Sequence, residues 1–128
     1  MKVLLDTCAF IWLAMPQRML SSKATQVIND PANELFLSDL SVWEIVMKYS
    51  AGKLPLPDKP RNWVAQQIAF FRITPLKIED TDIYLSGELP RVHADPFDRL
   101  LAAQSIEHKM TILSPDKLLS LLGATRVW

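Results

Sequence analysis

The feature of this sequence that most limits its fold is a series of short apolar runs that stop at polar residues. Val3-Leu4-Leu5 stops at Asp6, and Leu35-Phe36-Leu37 has the same arrangement. Unbroken apolar runs of this length are typical of strands that are buried on both faces. Segments with helical spacing lie between the runs, so the sequence predicts an α/β protein whose parallel sheet is covered by helices on both sides.

Helix starts and stops refine this prediction. Ser41 and Glu44 stand three residues apart, as in a capping box, and Asp95 precedes a proline that suits the first position of a helix. Gly123 is expected to end the last helix. The predicted strands are 3–5, 35–37, 73–76, 110–113 and 124–127, and the predicted helices are 9–15, 41–52, 62–71, 80–89, 97–108 and 116–122.

The composition fits one globular domain over residues 1–128. The chain is 49% hydrophobic and 22% charged, and a chain of this length buries roughly two-thirds of its unfolded surface. Cys8 is the only cysteine, and one cysteine with two histidines does not complete a closed zinc site. We therefore expect a single domain in a reducing compartment, without a disulfide or a structural zinc.

Acidic and basic residues are balanced, with 14 of each. A chain without net charge has no global field that attracts nucleic acid, so a nucleic-acid partner would need a local patch. The apolar N-terminal stretch is interrupted by Asp6, and no window reaches the ~18 apolar residues of a membrane span. We expect a cytoplasmic protein that does not associate with a membrane.

Acidic residues follow the predicted strands, at the sheet edge where parallel sheets form their sites. Asp6 comes directly after the first strand, Glu44 lies on the helix after the second, and Asp116 follows a later strand. Asp95 and Asp98 start the helix before that later strand. Each acid alone has an ordinary structural explanation, as a capping residue or as a charge that complements a helix N-terminus.

Together these acids predict a metal site. Several carboxylates at one edge repel one another, which raises their pKa values and costs stability unless a cation neutralises them. Oxygen ligands favour Mg²⁺ or Mn²⁺ over zinc or copper. Such ions suit the hydrolysis of phosphate esters, because they lower the pKa of a bound water and neutralise charge on the leaving oxygen.

Four short motifs, in order along the chain, resemble those of the PIN-domain ribonucleases, specifically toxins of the VapC type from bacterial toxin-antitoxin modules. They are Leu4-Leu5-Asp6-Thr7, Ser41-Val42-Trp43-Glu44-Ile45 with Lys48, His93-Ala94-Asp95-Pro96-Phe97-Asp98-Arg99-Leu100-Leu101-Ala102-Ala103-Gln104, and Ser114-Pro115-Asp116. The third motif is highly specific, and the resemblance covers nearly the whole chain. It implies a three-layer α/β/α sandwich around a mostly parallel sheet of about five strands.

The resemblance also implies roles for individual residues. Four acids form the metal pocket and carry out catalysis: Asp6, Glu44, Asp98 and Asp116. Four further residues support the pocket or contact a phosphate, with the first of them as a helix cap or an additional ligand: Asp95, Arg99, Ser114 and Thr7. Cys8 departs from the family, whose members often carry Asn, Ser or His there, so a supporting hydrogen bond is expected to be missing.

By the same resemblance, the chain is a Mg²⁺- or Mn²⁺-dependent endoribonuclease that cuts single-stranded or looped RNA. A cognate antitoxin covers the pocket, and a homodimer brings two pockets together. Two other functions stay open, a catalytically idle PIN-like module that binds RNA or protein, and a metal-dependent phosphatase or DNA nuclease. The acids fit one or two metal ions equally well.

The remaining residues of interest have competing interpretations. We expect His93 to be a solvated or capping residue rather than one that assists at a phosphate. Arg99 suits a phosphate or an ion pair with Asp95 or Glu44. Trp43 lies between apolar positions of a predicted helix, Val42 and Ile45, and is expected in the core rather than stacked on a base.

Two groups of residues complete the predictions. A basic stretch is expected on a solvated face: Lys48, Lys53, Lys59 and Arg61. An apolar stripe fits core packing or an exposed protein-binding surface equally well: Ile11, Trp12, Met15, Met19 and Leu20.

Overall fold

The computed structural model describes residues 1–15 and 19–128 and contains a five-stranded parallel sheet. The strands are β1 (Lys2–Leu5), β2 (Glu34–Ser38), β3 (Thr74–Leu76), β4 (Thr111–Leu113) and β5 (Arg126–Val127). The helices are α1 (Thr7–Ala14), α2 (Ser22–Asn29), α3 (Asp39–Ser50), α4 (Pro60–Phe70), α5 (Asp80–Glu88), α6 (Pro96–Glu107) and α7 (Leu118–Leu121). The strand order is β3-β2-β1-β4-β5. The prediction of a mostly parallel sheet of about five strands is confirmed.

The register of the central strand fixes where the acids meet. Leu5, the last residue of β1, pairs with Leu37 of β2 and with Leu113 of β4. Asp6 and Ser114 follow Leu5 and Leu113 directly and therefore lie side by side at the carboxyl end of the sheet. The Asp6 N–H donates to the Leu113 carbonyl at 3.1 Å, which extends the pairing by one residue. This edge is where parallel sheets form their sites.

Both faces of the sheet are apolar, which explains the unbroken runs in the sequence. Successive side chains of a strand point to opposite faces. Val3 and Leu5 belong to a core cluster with residues of α1, α2, α3 and α4, whereas Leu4 packs in a second cluster with residues of α5, α6 and α7. All three side chains are fully buried. The architecture is the expected three-layer sandwich.

Helix α3 begins earlier than predicted. Ser38, the last residue of β2, is its N-cap, and the Ser38 hydroxyl accepts the Leu40 N–H at 3.0 Å. Ser41 is buried inside the helix, where its Oγ accepts a hydrogen bond from the Thr7 hydroxyl at 3.0 Å. The capping-box prediction for Ser41 and Glu44 was therefore wrong.

Trp43 is exposed over 58% of its surface, so the prediction of a core position was wrong. The buried residues of α3 are Leu40, Ser41 and Ile45. Two residues along a helix correspond to a rotation of about 200°, so Trp43 faces away from both Ser41 and Ile45. Its ring instead stacks on Phe97 of α6, with centroids 5.3 Å apart.

Most of the predicted apolar stripe packs against the core. Ile11, Met15 and Leu20 are partly buried against the cluster that contains Val3. The Trp12 ring lies against Trp128, with centroids 5.7 Å apart, whereas Met19 is 53% exposed. No helix in the two described ranges is long and apolar enough to cross a membrane.

Arg99 stabilises the loop between α5 and α6 through hydrogen bonds to backbone carbonyls. Its guanidinium donates five hydrogen bonds of 2.8–3.1 Å, all to backbone carbonyls. The acceptors are Ser86, Leu89, Pro90 and His93. The guanidinium has five N–H donors, so none remains for a phosphate or for an ion pair with Asp95 or Glu44. The predicted ion pair and phosphate contact of Arg99 are not formed, because carbonyls of α5 and of the loop that follows it take every donor.

We expect Arg99→Met to lower the free energy of unfolding by about 3 kcal/mol, because it leaves carbonyls at the end of α5 without their charged donor. Urea denaturation of the two proteins measures the change. Arg91→Met is the matched control, since Arg91 is an exposed arginine of the same loop. Equal unfolding free energies for wild type and Arg99→Met would contradict this role of Arg99.

Candidate metal centre

Asp6 is the most deeply buried acid of the site, with 8% of its surface exposed. Its Oδ1 accepts the Ala9 N–H at 2.7 Å, so the side chain caps α1. The side chain of Ser114 opposes part of the rise in the pKa of Asp6. Ser114 Oγ accepts the Asp116 N–H at 3.0 Å. Ser114 therefore lies between two of the predicted acids.

Thr7 holds the other side of the site. The hydrogen bond between Thr7 Oγ1 and Ser41 Oγ measures 3.0 Å and is buried. It joins the first turn of α1 to the first turn of α3, the helix that carries Glu44. Thr7 thus links α1, which Asp6 caps, to α3, which carries Glu44.

Asp98 lies in the first turn of α6, next to the residue that caps this helix. Asp95 Oδ1 accepts the N–H groups of Phe97 and Asp98, at 2.8 and 3.3 Å. The predicted cap at Asp95 is confirmed. Because Asp95 Oδ1 is engaged with the backbone, Asp98 is the better of the two acids for holding an ion.

His93 lies between two of the acids, so the prediction of a solvated or capping residue was wrong. Its Nε2 lies 2.9 Å from Asp98 Oδ2 and 3.2 Å from Asp116 Oδ2. The Asp95 N–H donates to His93 Nδ1 at 3.4 Å, so a neutral ring carries its proton on Nε2, where it faces both carboxylates. Arg99 causes this placement, because it binds the His93 carbonyl and folds the loop inward.

Glu44 faces the same space from α3. A small cavity of about 50 Å³ is lined by Asp6, Glu44 and Asp98 together with Thr7, Cys8, Leu40, Ser41, Phe97 and Leu101. Lys48 Nζ lies 3.0 Å from Glu44 Oε2, one turn along the helix. Lys48 is thus a cation beside the cavity, and like Lys53, Lys59 and Arg61 it is exposed, as expected.

The four predicted acids form two groups that share Asp98. Asp6, Glu44 and Asp98 line the cavity. Asp98, Asp116 and His93 each offer one ligand atom, and these atoms lie within 4.8 Å of one another. A larger apolar groove of about 570 Å³ between α3 and α4 contains none of these residues in its lining. The chemistry-bearing groups are therefore concentrated at the carboxyl end of the sheet.

Burial and mutual repulsion raise the pKa values of two of the acids. Burial, followed by the charges of Asp98 and Glu44, raises the pKa of Asp6 from 3.8 to about 6, although bonds from Ser114 and Ala9 oppose the change. Burial raises the pKa of Asp98 to about 6 as well, with Asp95, Asp116 and Glu44 contributing in the same direction. Raised carboxylate pKa values of this origin mark a site that lacks positive charge.

The donor set fits a hard divalent cation. The cavity offers carboxylate oxygens from three elements, and such oxygens are the usual ligands of Mg²⁺ and Mn²⁺. Burial, and to a smaller extent repulsion between the acids, raises the pKa values of Asp6 and Asp98, and a bound cation would offset both effects by stabilising the ionised carboxylates. Partial burial and the Asp6 charge raise the pKa of the Cys8 thiol to about 11, so Cys8 brings no thiolate to the site at neutral pH.

The family model of the PIN domain matches residues 3–123 of this chain. Ribonuclease VapC22 of Mycobacterium tuberculosis is 34% identical over 119 residues, which cover 90% of this chain and 87% of that protein. Ribonuclease VapC16 of the same organism is 32% identical over 81 residues, which cover 57% of each chain. These relatives are ribonucleases by name.

Solved structures with the same fold come from toxin-antitoxin complexes. VapBC2 from Rickettsia felis, bound to a DNA fragment from its promoter, matches with a TM-score of 0.72 at 12% identity and covers 99% of this chain and 98% of that one. VapBC-5 from Mycobacterium tuberculosis matches with a TM-score of 0.62 at 14% identity, over 98% and 95% of the two chains. At such identities these matches show a shared fold.

Proposed function

This chain belongs to the PIN-domain family, and on that premise we propose that it is a divalent-metal-dependent endoribonuclease, the toxin of a toxin-antitoxin pair. The observation that carries the proposal is the convergence of Asp6, Glu44 and Asp98 on one cavity at the carboxyl end of the sheet. The similarity to Ribonuclease VapC22 supports RNA as the substrate. We further propose that residues 1–128 act as one nuclease domain, since β1 and β5 lie in the same sheet.

Asp6, Glu44, Asp98 and Asp116 are the proposed metal-binding and catalytic residues, and Mg²⁺ or Mn²⁺ is the proposed ion. When bound, such an ion supplies an activated water and neutralises charge on the phosphate. Asp6 and Asp98, which both line the cavity, would hold it, and Glu44 and Asp116 would complete the acidic set.

Neighbouring groups keep these acids in place. The Ser114 hydroxyl orients Asp6, and the His93 Nε2–H orients Asp98 and Asp116. Lys48 balances the charge of Glu44. Supporting bonds of this kind set the geometry and affinity of a metal site.

The proposed partners are an RNA substrate and a small antitoxin protein. The solved complexes of the same fold contain such antitoxins. An antitoxin that inserts a basic side chain into the cavity would neutralise the acids in place of a metal ion and would block the site. We also propose a homodimer and action in the cytoplasm, as the resemblance implies.

The substrate class is tested by offering single-stranded RNA, single-stranded DNA and p-nitrophenyl phosphate side by side, each with Mg²⁺, Mn²⁺ or a chelator. We expect RNA fragments with metal and none with chelator. DNA cleavage at the rate of RNA cleavage would make the protein a general nuclease, and turnover of the phosphomonoester alone would make it a phosphatase. Either result would contradict the proposal.

A further inference from the structure

An exposed tryptophan and a half-buried phenylalanine lie together at the rim of the acidic cavity. Phe97 lines the cavity together with Glu44 and Asp98. The Trp43 ring packs against Phe97 at 5.3 Å between centroids, with the two planes tilted by 45°. Trp43 directly precedes Glu44 in the chain. The two rings therefore border the site where α3 and α6 come together.

Core packing does not account for the indole at this position. Trp43 is 58% exposed, although a large aromatic ring gains more from burial than most side chains. Of the buried residues of α3, Ser41 and Ile45 each lie about 200° around the helix from Trp43. An exposed indole that packs on a half-buried ring is a surface that suits a flat, apolar ligand group.

Electrostatics alone gives this site little affinity for RNA. The chain has a formal net charge of zero, and the cavity is acidic. Lys48, the cation beside the cavity, is already paired with Glu44 at 3.0 Å. Stacking of bases on aromatic rings is independent of charge and tolerates any base, because every base has a π-face.

We propose that Trp43 and Phe97 form a stacking platform for an unpaired base of the RNA substrate, next to the phosphate that is cut. The inference rests on the proposed function and defines its substrate as unpaired RNA. A duplex keeps its bases stacked inside the helix, whereas loops and single strands can splay a base onto a protein ring. The occupant is RNA rather than another protein, because the platform continues directly into the cavity that would bind the phosphate.

The test compares Trp43→Ala and Trp43→Phe with wild type in the cleavage of single-stranded RNA. We expect KM to rise roughly 5- to 100-fold in Trp43→Ala, as the loss of one stacked base implies, with kcat within about twofold because the acids are unchanged. Trp43→Phe should recover most of the loss. Tyr84→Ala is the matched control, because Tyr84 is an exposed aromatic residue, 70% accessible, on α5.

A binding experiment tests the stacking platform independently of the proposed ribonuclease activity. The dissociation constant of a labelled single-stranded RNA is measured for Asp98→Asn with and without Trp43→Ala, so that cleavage is not needed. A weakening of roughly 5- to 100-fold supports the platform, even if wild type proves inactive on RNA and the proposed function fails.

Two results would overturn the inference. One is a KM and a dissociation constant within about twofold of the parent values when Trp43 is replaced. The other is a fall of the native mass, by sedimentation, from dimer to monomer in Trp43→Ala. That fall would assign the aromatic pair to a contact between two copies of the chain.

Discussion

Asp6→Asn is expected to reduce RNA cleavage by at least about 10³-fold while the chain stays folded, because it removes a charged ligand from the proposed metal site. The substitution keeps the shape of the side chain. The asparagine Oδ1 still accepts the Ala9 N–H, so α1 keeps its cap. The loss of cleavage is measured with single-stranded RNA and saturating Mn²⁺.

The same variant should be more stable than wild type without metal at pH 7. Asp6 has a pKa of about 6 in the folded protein and an ordinary value of 3.8. The folded state therefore holds the proton more tightly, and stability falls as pH rises from about 4 through 6. At pH 7 the Asp6 carboxyl group is ionised, so the wild type has lost all of this stability. Asp6→Asn cannot ionise and should therefore be more stable by up to about 3 kcal/mol.

The matched control for Asp6→Asn is Asp39→Asn. Asp39 starts α3 and pairs with Lys77 at 3.3 Å, outside the acidic cavity. The Asp39→Asn substitution should leave the rate of RNA cleavage unchanged. Cleavage by folded Asp6→Asn protein at the wild-type rate would contradict the assignment of Asp6, and a metal-free stability below that of wild type at pH 7 would contradict the account of its raised pKa.

Metal affinity should depend steeply on pH below about 6. Asp6 and Asp98 both have pKa values of about 6 without metal. A metal ion binds the deprotonated carboxylates, so protons compete with it below that pH. We expect the Mn²⁺ association constant to fall by up to about 100-fold per pH unit below pH 6, as for the release of two protons, and to level off above pH 7.

Calorimetric titration of Mn²⁺ at several pH values measures this slope. Asp98→Asn should bind Mn²⁺ more weakly. Its association constant should fall only about tenfold per pH unit below pH 6, because one of the two carboxyl groups at which protons compete with the metal is gone. Glu44→Gln should weaken binding without lowering the slope. An affinity that does not change between pH 7 and pH 5 would show that Asp6 and Asp98 are not the groups that hold the ion.

The sequence predicted the sheet well, because its three central strands, β1, β2 and β4, are buried on both faces. Leu4 packs on one side while Val3 and Leu5 pack on the other, so an unbroken apolar run was required and easy to see. Helix α2 escaped prediction for the opposite reason. It fully buries only the small residues Ala24 and Val27, with Ile28 partly buried, and its other positions are polar, so few apolar residues marked it.

The acids were predicted for the same reason as the strands, since each follows or faces a strand end whose position was clear. The residues around them were harder to predict. The place of His93 was predicted wrongly because its carbonyl is bound by Arg99. No local sequence pattern reveals that this arginine donates five hydrogen bonds to backbone carbonyls. Side-chain networks between loops are tertiary features that periodicity does not encode.

Trp43 was misplaced because apolar residues close to it in the sequence were taken as a sign of burial. Adjacent residues of a helix point about 100° apart, so apolar neighbours do not place a residue on the buried face. Ser41 and Ile45, which are buried, each lie about 200° around α3 from Trp43. The correction matters for function, since it places an exposed indole beside the acidic cavity.

The central claim is that the carboxylates at the end of the sheet form a metal-dependent ribonuclease site. Its most direct test is cleavage of a mixed cellular RNA pool by the purified, antitoxin-free chain and by Asp98→Asn, each with Mg²⁺, Mn²⁺ or a chelator. Discrete fragments that require metal and disappear in Asp98→Asn are the predicted result. Intact RNA in every lane with folded wild-type protein, or fragments that persist in chelator or in Asp98→Asn, would contradict the claim.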